Sequence, residues 1–266
     1  MSTTAQEKEI AERFRGDTAE HVMTVLHEDG LYRHLRFRAP ERGFNWYDIV
    51  TWPGRLTICG DLGEAYTFSR LTDMFQFFRS DKGRINPHYW SEKLADSGRS
   101  VREYSEDVLR ATLEPWLADY AEEYDDRLAE YLEAKAAYDA LPYLARWPHG
   151  ATKEPVEPKS PAGLRELIAD YDADGLLSHR EGADRLLRDL EEHGVVSDTW
   201  EWDLTDYKWE FLWACHAIVA GITAYDATKA RTSRARLRRL RDRLLRRPKA
   251  TAKPKPKIRT LTPRHD

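Results

Sequence analysis

Cysteine is scarce in this chain of 266 residues, which contains only Cys59 and Cys215. Two thiols so far apart in the sequence argue against a disulfide scaffold or a structural zinc site, and they are typical of a reducing compartment. Long apolar runs are missing too, because the longest, FLWACHAIVAGITA, has 14 residues and includes His216, too few to span a bilayer. The N-terminal stretch MSTTAQEKEIAERF lacks the basic and apolar segments of a signal peptide. We therefore expect a cytoplasmic protein with no membrane partner.

The motifs of common enzymes are also absent: the sequence has no glycine-rich phosphate loop, no serine-centred nucleophile elbow and no H-x-x-x-H or His/Cys metal spacing. Cys215 and His216 are adjacent on a predicted helix, where neighbouring side chains do not face each other. The turn CGDLGE could place Asp61 and Glu64 at a strand end for metal-dependent hydrolysis, with His34 as a third group. However, the lysine expected two residues after the second acid is missing, and Asp and Gly are ordinary hairpin residues. The sequence therefore favours a binding protein, with a metal-dependent enzyme as the third alternative.

Charge is plentiful but unevenly distributed. Residues 229–266 hold 16 Lys and Arg against 2 Asp, whereas residues 1–228 hold 26 Lys and Arg against 44 Asp and Glu. The formal net charge of −4 therefore hides an acidic body and a basic tail. With 41% apolar and 11% aromatic residues, the body can bury a core of one large domain or two small ones.

Hydrophobic periodicity predicts the secondary structure of the first hundred residues. Residues 17–28 carry Ala19, Val22, Met23 and Leu26 on one side, which indicates an amphipathic helix ending at Gly30. The segments LYRHLRFR, NWYDIVTW, RLTICG and AYTFSR then predict a four-stranded antiparallel meander, since they are aromatic, β-branched or alternating and are separated by glycine turns. Short helices are predicted at Met74–Phe78 and in NPHYWSEKL.

The second half of the chain has helical patterns separated by prolines. Helices are predicted at about 162–172 and 178–193, and the segment after Asp198 is apolar on nearly every side. We therefore expect Trp200, Trp202, Trp209 and Trp213 to belong to the core. The predicted fold is α+β, and its regions are an α+β region with the meander at 1–104, a long amphipathic helix at 105–140, a proline-rich linker at 141–161, a helical region at 162–228 with a central apolar helix at 205–227, a basic helix at 229–247 and a disordered Lys/Pro tail at 248–266.

Three blocks of the sequence resemble a protein family of phages and prophages, notably of actinobacteria, that has no known activity. The blocks are NWYDIVTWPGRLTICGDLGEAYTFSRLTDMFQFF, INPHYWSEKL and SDTWEWDLTDYKWEFLWACHAIVAGITAYD. The resemblance implies a viral or prophage setting in a bacterial host cell, and no catalytic residues come with it.

The segment DYDADGLLSHRE has the spacing of a calcium-binding loop. The calcium ligands would be Asp170, Asp172, Asp174, the Leu176 carbonyl, Ser178 acting through a water, and Glu181. The alternative is a joint between two helices, in which Gly175 ends the first helix and Ser178 and Glu181 form a capping box. Three aspartates at the negative end of a helix favour a cation. Against calcium, the flanking apolar residues are out of register with a calcium hand, and no second loop is present. We expect a helix joint that binds Ca²⁺ weakly at most.

The basic tail is the second feature of the sequence that indicates a function. Its helical part has leucines on one side and arginines on the rest, and lysine-proline repeats follow. Such segments bind nucleic acid because each neutralised phosphate releases counterions. The predicted nucleic-acid-binding residues are Arg231, Arg234, Arg236, Arg238, Arg239, Arg241, Arg243, Arg246, Arg247, Lys249, Lys253, Lys255 and Lys257. We therefore predict a phage-type binding protein that contacts nucleic acid non-specifically. The alternative is an acidic interaction module that inhibits a host protein, with the tail held on its own body. The oligomeric state stays open.

Overall fold

A five-stranded antiparallel sheet forms the N-terminal part of the protein in the computed structural model, which describes residues 3–95, 101–142, 145 and 153–245. The strands pair in chain order, so the sheet is a simple meander. Its members are β1 (Val22–Asp29), β2 (Tyr32–Arg38), β3 (Tyr47–Trp52), β4 (Arg55–Gly60) and β5 (Tyr66–Ser69). The four predicted strands are thus confirmed as β2 to β5.

The predicted helix at 17–28 is wrong, because that stretch contains β1, the edge strand of the sheet. The pairing of β1 with β2 shifts between Val25 and His27, which marks a β-bulge. Nearly every residue of this edge strand is exposed, so no buried face imposes an apolar/polar alternation, and Val22, Met23 and Leu26 have the spacing of a helix instead. The helix lies earlier, as α1 (Thr3–Thr18), and it buries Ile10 and Phe14.

One face of the sheet packs against apolar helices. The short α2 (Met74–Arg79) and α3 (Pro87–Ser91) confirm the two helices predicted there. The long α7 (Trp209–Leu245) begins beside the sheet, where the Trp213 ring makes edge contacts with Phe14 and Tyr47 at centroid distances of 5.0 and 5.5 Å. A side chain at Gly221 would collide with Ile49, since a Cβ there would lie 2.4 Å from Ile49 Cδ1.

A second core joins the helices that follow the sheet. It is built from α4 (Glu106–Asp139), α5 (Pro161–Ala173) and α6 (Arg180–Glu192), whose leucines pack together. A two-stranded ribbon of β6 (Arg102–Tyr104) and β7 (Thr205–Tyr207) precedes α4 and α7. The three helices α4, α5 and α6 lie close to the ranges 105–140, 162–172 and 178–193 that the sequence predicts. The α+β fold class, with a mainly helical second half, is confirmed.

The four tryptophans between residues 200 and 213 do not all belong to the core. Trp213 is fully buried, whereas Trp202 and Trp209 are half-buried and Trp200 is 78% exposed. Asp198 takes a left-handed conformation (φ +53°) and starts a 3-10 turn at Thr199–Glu201. This tight turn buries Thr199 and leaves Trp200 in solvent, a local reversal that helical periodicity cannot predict.

The chain divides into a larger unit, Met1–Gly221, and a smaller unit, Ile222–Asp266. The basic helix predicted at 229–247 is the continuation of α7, which runs without a break to Leu245. Neither proline nor glycine occurs between Ile222 and Leu245, so nothing in the sequence stops the helix. The predicted disordered tail at 248–266 and part of the predicted linker lie outside the described residues. Within the described helices, none is long and apolar enough to cross a membrane.

Candidate nucleic-acid interface and acidic loop

The second half of α7 contains many closely spaced arginines. The described members are exposed and lie on one continuous helix: Arg231, Arg234, Arg236, Arg238, Arg239 and Arg241. At 100° per residue these side chains cover most of the helix circumference. Arg243 also lies on the helix, but its side chain is outside the described part. Arg246, Arg247, Lys249, Lys253, Lys255 and Lys257 all lie beyond the described residues.

The rest of the circumference is an apolar stripe, in which Leu237 is 66% and Leu240 is 48% exposed. The two leucines have the spacing of a coiled-coil seam, but Arg234, Arg236 and Arg241 flank it. In a symmetric two-stranded coil these positions would bring like charges together, which disfavours self-pairing. No Phe, Trp or Tyr follows Tyr225 in the sequence, so this segment has no ring on which a base could stack.

The charge of these arginines is largely uncompensated within the described residues. Arg231 donates a hydrogen bond to the Thr228 hydroxyl at 3.4 Å. No acidic side chain in the described ranges forms an ion pair with Arg234, Arg236, Arg238 or Arg239. Their guanidinium groups are therefore able to donate hydrogen bonds to an external anion.

The acidic loop joins α5 to α6 through a tight turn. Asp170 and Asp172 lie in the last turn of α5, and Asp174 is its C-terminal cap. Gly175 follows in the left-handed region (φ +68°), where glycine is favoured, and a 3-10 turn at Leu176–Ser178 leads to α6. The helix joint expected from the sequence is thus present.

Several of the predicted calcium ligands have protein partners. The Arg110 guanidinium donates to the Asp172 carboxylate at 2.6 Å, and the Ser178 hydroxyl donates to the Gly175 carbonyl at 2.6 Å. The Leu176 carbonyl accepts from the His179 backbone N–H at 3.3 Å. Among the described residues, no group of three or more His, Cys, Asp and Glu side chains is arranged to hold a metal ion. Calcium binding stays a prediction.

The capping box proposed for this joint does not form. α6 begins at Arg180 with His179 as its N-cap, and no side chain caps it. Glu181 lies in the first turn of α6, where a carboxylate interacts favourably with the positive end of the helix. Ser178 is one residue too early to cap α6, because the 3-10 turn occupies the position that the sequence assigns to the helix start.

A polar cluster on the outer face of the sheet escaped prediction. Asp48 accepts two hydrogen bonds from Arg36, both at 2.8 Å, and lies 2.8 Å from His34 Nε2. Burial alone would raise the pKa of Asp48, but the hydrogen bonds from Arg36 and His34 outweigh it, so that the pKa is lowered. Burial raises the pKa of the neighbouring Cys59 thiol, which therefore is no activated nucleophile. The sequence feature that could have indicated this cluster is the spacing of His34 and Arg36, which are two residues apart and therefore lie on the same face of β2.

The residues considered for metal-dependent hydrolysis have separate partners. His34 is bound to Asp48, while Asp61 accepts a hydrogen bond from the Asn45 backbone N–H at 2.8 Å. Glu64 pairs with Lys208 at 3.1 Å. These contacts give each group a structural role and supply no shared site for a metal.

Comparison with known proteins gives no guide to this surface: no protein-family model matches the chain, and neither a curated protein nor a solved structure matches it significantly. The resemblance to a phage family therefore stays a prediction.

Proposed function

We propose that the arginine segment of α7, residues 231–241, binds the phosphate backbone of nucleic acid without regard to base sequence. The proposal rests on the exposed guanidinium groups of this helical segment, four of which lack an ion pair with any described residue. Arginine matches phosphate oxygens bidentately, and the aromatic side chains needed to read or stack bases are missing. In this proposal the protein is a non-enzymatic binder of the phosphate backbone, and the sequence resemblance supplies the proposed phage or prophage setting in the bacterial cytoplasm.

The salt dependence of binding tests this proposal. With roughly six phosphates engaged, the logarithm of duplex DNA affinity should fall against the logarithm of salt concentration with a slope of about −5. The triple substitution Arg234→Gln, Arg238→Gln and Arg239→Gln should weaken binding about tenfold or more at low salt and reduce the slope by about 3. Fluorescence anisotropy of a labelled duplex, titrated at several salt concentrations, measures both quantities.

The matched control removes three exposed arginines elsewhere, by Arg165→Gln, Arg185→Gln and Arg188→Gln on α5 and α6. Its net charge equals that of the test variant, so a purely global charge effect would weaken both equally. Equal weakening, or a wild-type protein that shifts neither DNA nor RNA at about 50 mM salt, would refute the proposed interface.

We also propose weak calcium binding at the acidic loop, supported by three carboxylates at the negative end of α5. Arg110 already neutralises Asp172 in part, so the affinity of an unpaired loop should be low, on the order of 10⁻⁴ M.

About 1 mM calcium should then stabilise the fold by roughly 1.4 kcal/mol and raise the Tm by a few degrees. Glu181→Gln should remove this shift, whereas Glu166→Gln on α5 should keep it. If calorimetry shows no heat of calcium binding and calcium leaves the melting curve unchanged, the calcium proposal fails and the loop is only a joint between two helices.

A further inference from the structure

A groove runs along one side of α4, in the larger unit Met1–Gly221, whereas the arginine segment of α7 belongs to the smaller unit. Two adjoining cavities of about 430 and 390 Å³ form it, and both are lined by Tyr120, Arg127 and Gly194. The groove extends along α4 from Trp116 to Ala134, which is about 27 Å at 1.5 Å per residue. We call it the α4 groove. Its opposite wall is formed by residues 155–158 and by residues 192–197, at and after the end of α6.

The walls of the α4 groove are aromatic and prolyl. Trp116 is 37% exposed and lies 5.8 Å from the half-buried Trp202, measured between ring centroids. Tyr131 is half-buried farther along, opposite Pro155 and Pro158. Such ring faces bind proline rings and aliphatic stems, and they attract cations through their electron-rich faces.

The electrostatics of the groove select a cationic occupant. Asp119, Glu130, Glu157 and Glu192 line it, and none of them forms an ion pair with a described residue. The lining arginine, Arg127, is engaged: its guanidinium pairs with Glu123 at 2.9 Å and lies 5.1 Å above the Tyr120 ring.

The C-terminus of α6 adds to this negative potential. Glu192 is the last residue of α6, and the groove wall continues through its C-terminal cap, His193. The negative end of the helix dipole therefore lies at the groove and favours a positive charge there. A phosphate backbone would be repelled, so this surface is unsuited to nucleic acid.

We infer that the α4 groove binds an extended, proline-containing segment of a partner protein that is rich in lysine or arginine. In the polyproline conformation, which advances about 3.1 Å per residue, roughly nine residues would span its length. Prolines would lie against Trp116 and Tyr131, and the basic side chains would reach Asp119, Glu130 and Glu192. This inference does not depend on the nucleic-acid proposal, because it concerns different residues and a partner of opposite charge.

The test uses the full-length protein and a fluorescein-labelled (Lys-Pro-Pro)₄ peptide as the probe. Fluorescence polarisation should show saturable binding, and the exposed-carboxylate triple Asp119→Asn, Glu130→Gln and Glu192→Gln should weaken it tenfold or more. Trp116→Ala should also weaken it, as the aromatic wall requires. The matched control is Glu122→Gln, Asp126→Asn and Glu133→Gln, which removes three exposed acids of α4 that do not line the groove. This control should bind the peptide as the wild type does.

Four results would overturn the inference. Equal weakening by the test and control triples would show a general attraction to the acidic helix. Equal binding of (Glu-Pro-Pro)₄ and the cationic peptide would show that charge does not select the occupant of the groove. Absence of saturable binding would remove the peptide site altogether. The groove would belong to a second copy of the chain under three conditions. The protein would self-associate with rising concentration, only the groove triple would abolish this association, and the peptide would not compete with it. Both triples replace exposed side chains, so a melting curve suffices to confirm that each variant is folded.

Discussion

Ile218→Asp should abolish cooperative folding of the larger unit. Ile218 is 0% exposed on the part of α7 that lies within Met1–Gly221, among Ala214, Ala217 and other fully buried residues. A carboxylate there would be buried without a partner, at a cost of several kcal/mol. Because a domain of this kind is stable by only about 5–15 kcal/mol, the substitution removes a large share of its stability. Urea unfolding followed by circular dichroism measures the loss.

The control for this variant is Ala227→Asp, an exposed position on the same helix. It introduces the same side chain at an exposed site. Alanine is the better helix former, so this variant loses more helix propensity than Ile218→Asp does, but beyond that propensity term it should cost well under 1 kcal/mol. A cooperative transition for Ile218→Asp at the wild-type urea midpoint would mean that the start of α7 is peripheral, contrary to the packing of Trp213 and Gly221.

Gly182→Ala should destabilise the protein by about 1–3 kcal/mol, although alanine is the better helix former. Gly182 lies in the first turn of α6, and a Cβ there would stand 2.0 Å from the Leu176 carbonyl oxygen and 2.9 Å from Leu176 Cβ. The nearest obstacle is a backbone atom of the 3-10 turn, so relief requires the joint between α5 and α6 to move. Thermal and urea unfolding of the purified variant would measure the change.

Gly16→Ala provides the opposite expectation in α1. Nothing lies within 4 Å of a Cβ at Gly16, so only the propensity gain of up to about 1 kcal/mol remains, and stability should rise. If Gly182→Ala is stabilised to the same degree as Gly16→Ala, the close approach between α6 and the turn does not limit the fold.

The sequence predicts elements whose periodicity is undisturbed. Strands β2, β4 and β5 alternate between buried and more exposed residues. The helices predicted in NPHYWSEKL and from residue 105 begin in the structure at Pro87 and Glu106. Where local geometry interrupts the period, prediction fails. The edge strand β1 is almost wholly exposed and lacks a strand's alternation, so it looked like a helix, and the left-handed Asp198 exposed a tryptophan expected in the core.

Sites were predictable only where they are local in sequence. The arginines of α7 are visible in the sequence because one helix carries them all, and the acidic loop for the same reason. The α4 groove is not, since its walls come from residues 116–134, 155–158 and 192–197, which only folding brings together. The pairing of Asp48 with Arg36 likewise depends on the register between β2 and β3.

The two cysteines differ in solvent access, and this difference allows the opening of the protein core to be measured by thiol modification. Cys59 is half-buried at the end of β4, while Cys215 is 0% exposed on α7, where burial raises the pKa of its thiol well above the ordinary value. A thiol reagent therefore modifies Cys59 at a rate set by its local surroundings, and it reaches Cys215 only after the surrounding core has opened. The slower modification rate, that of Cys215, is followed with increasing denaturant and reports the free energy of that opening, and no engineered cysteine is needed.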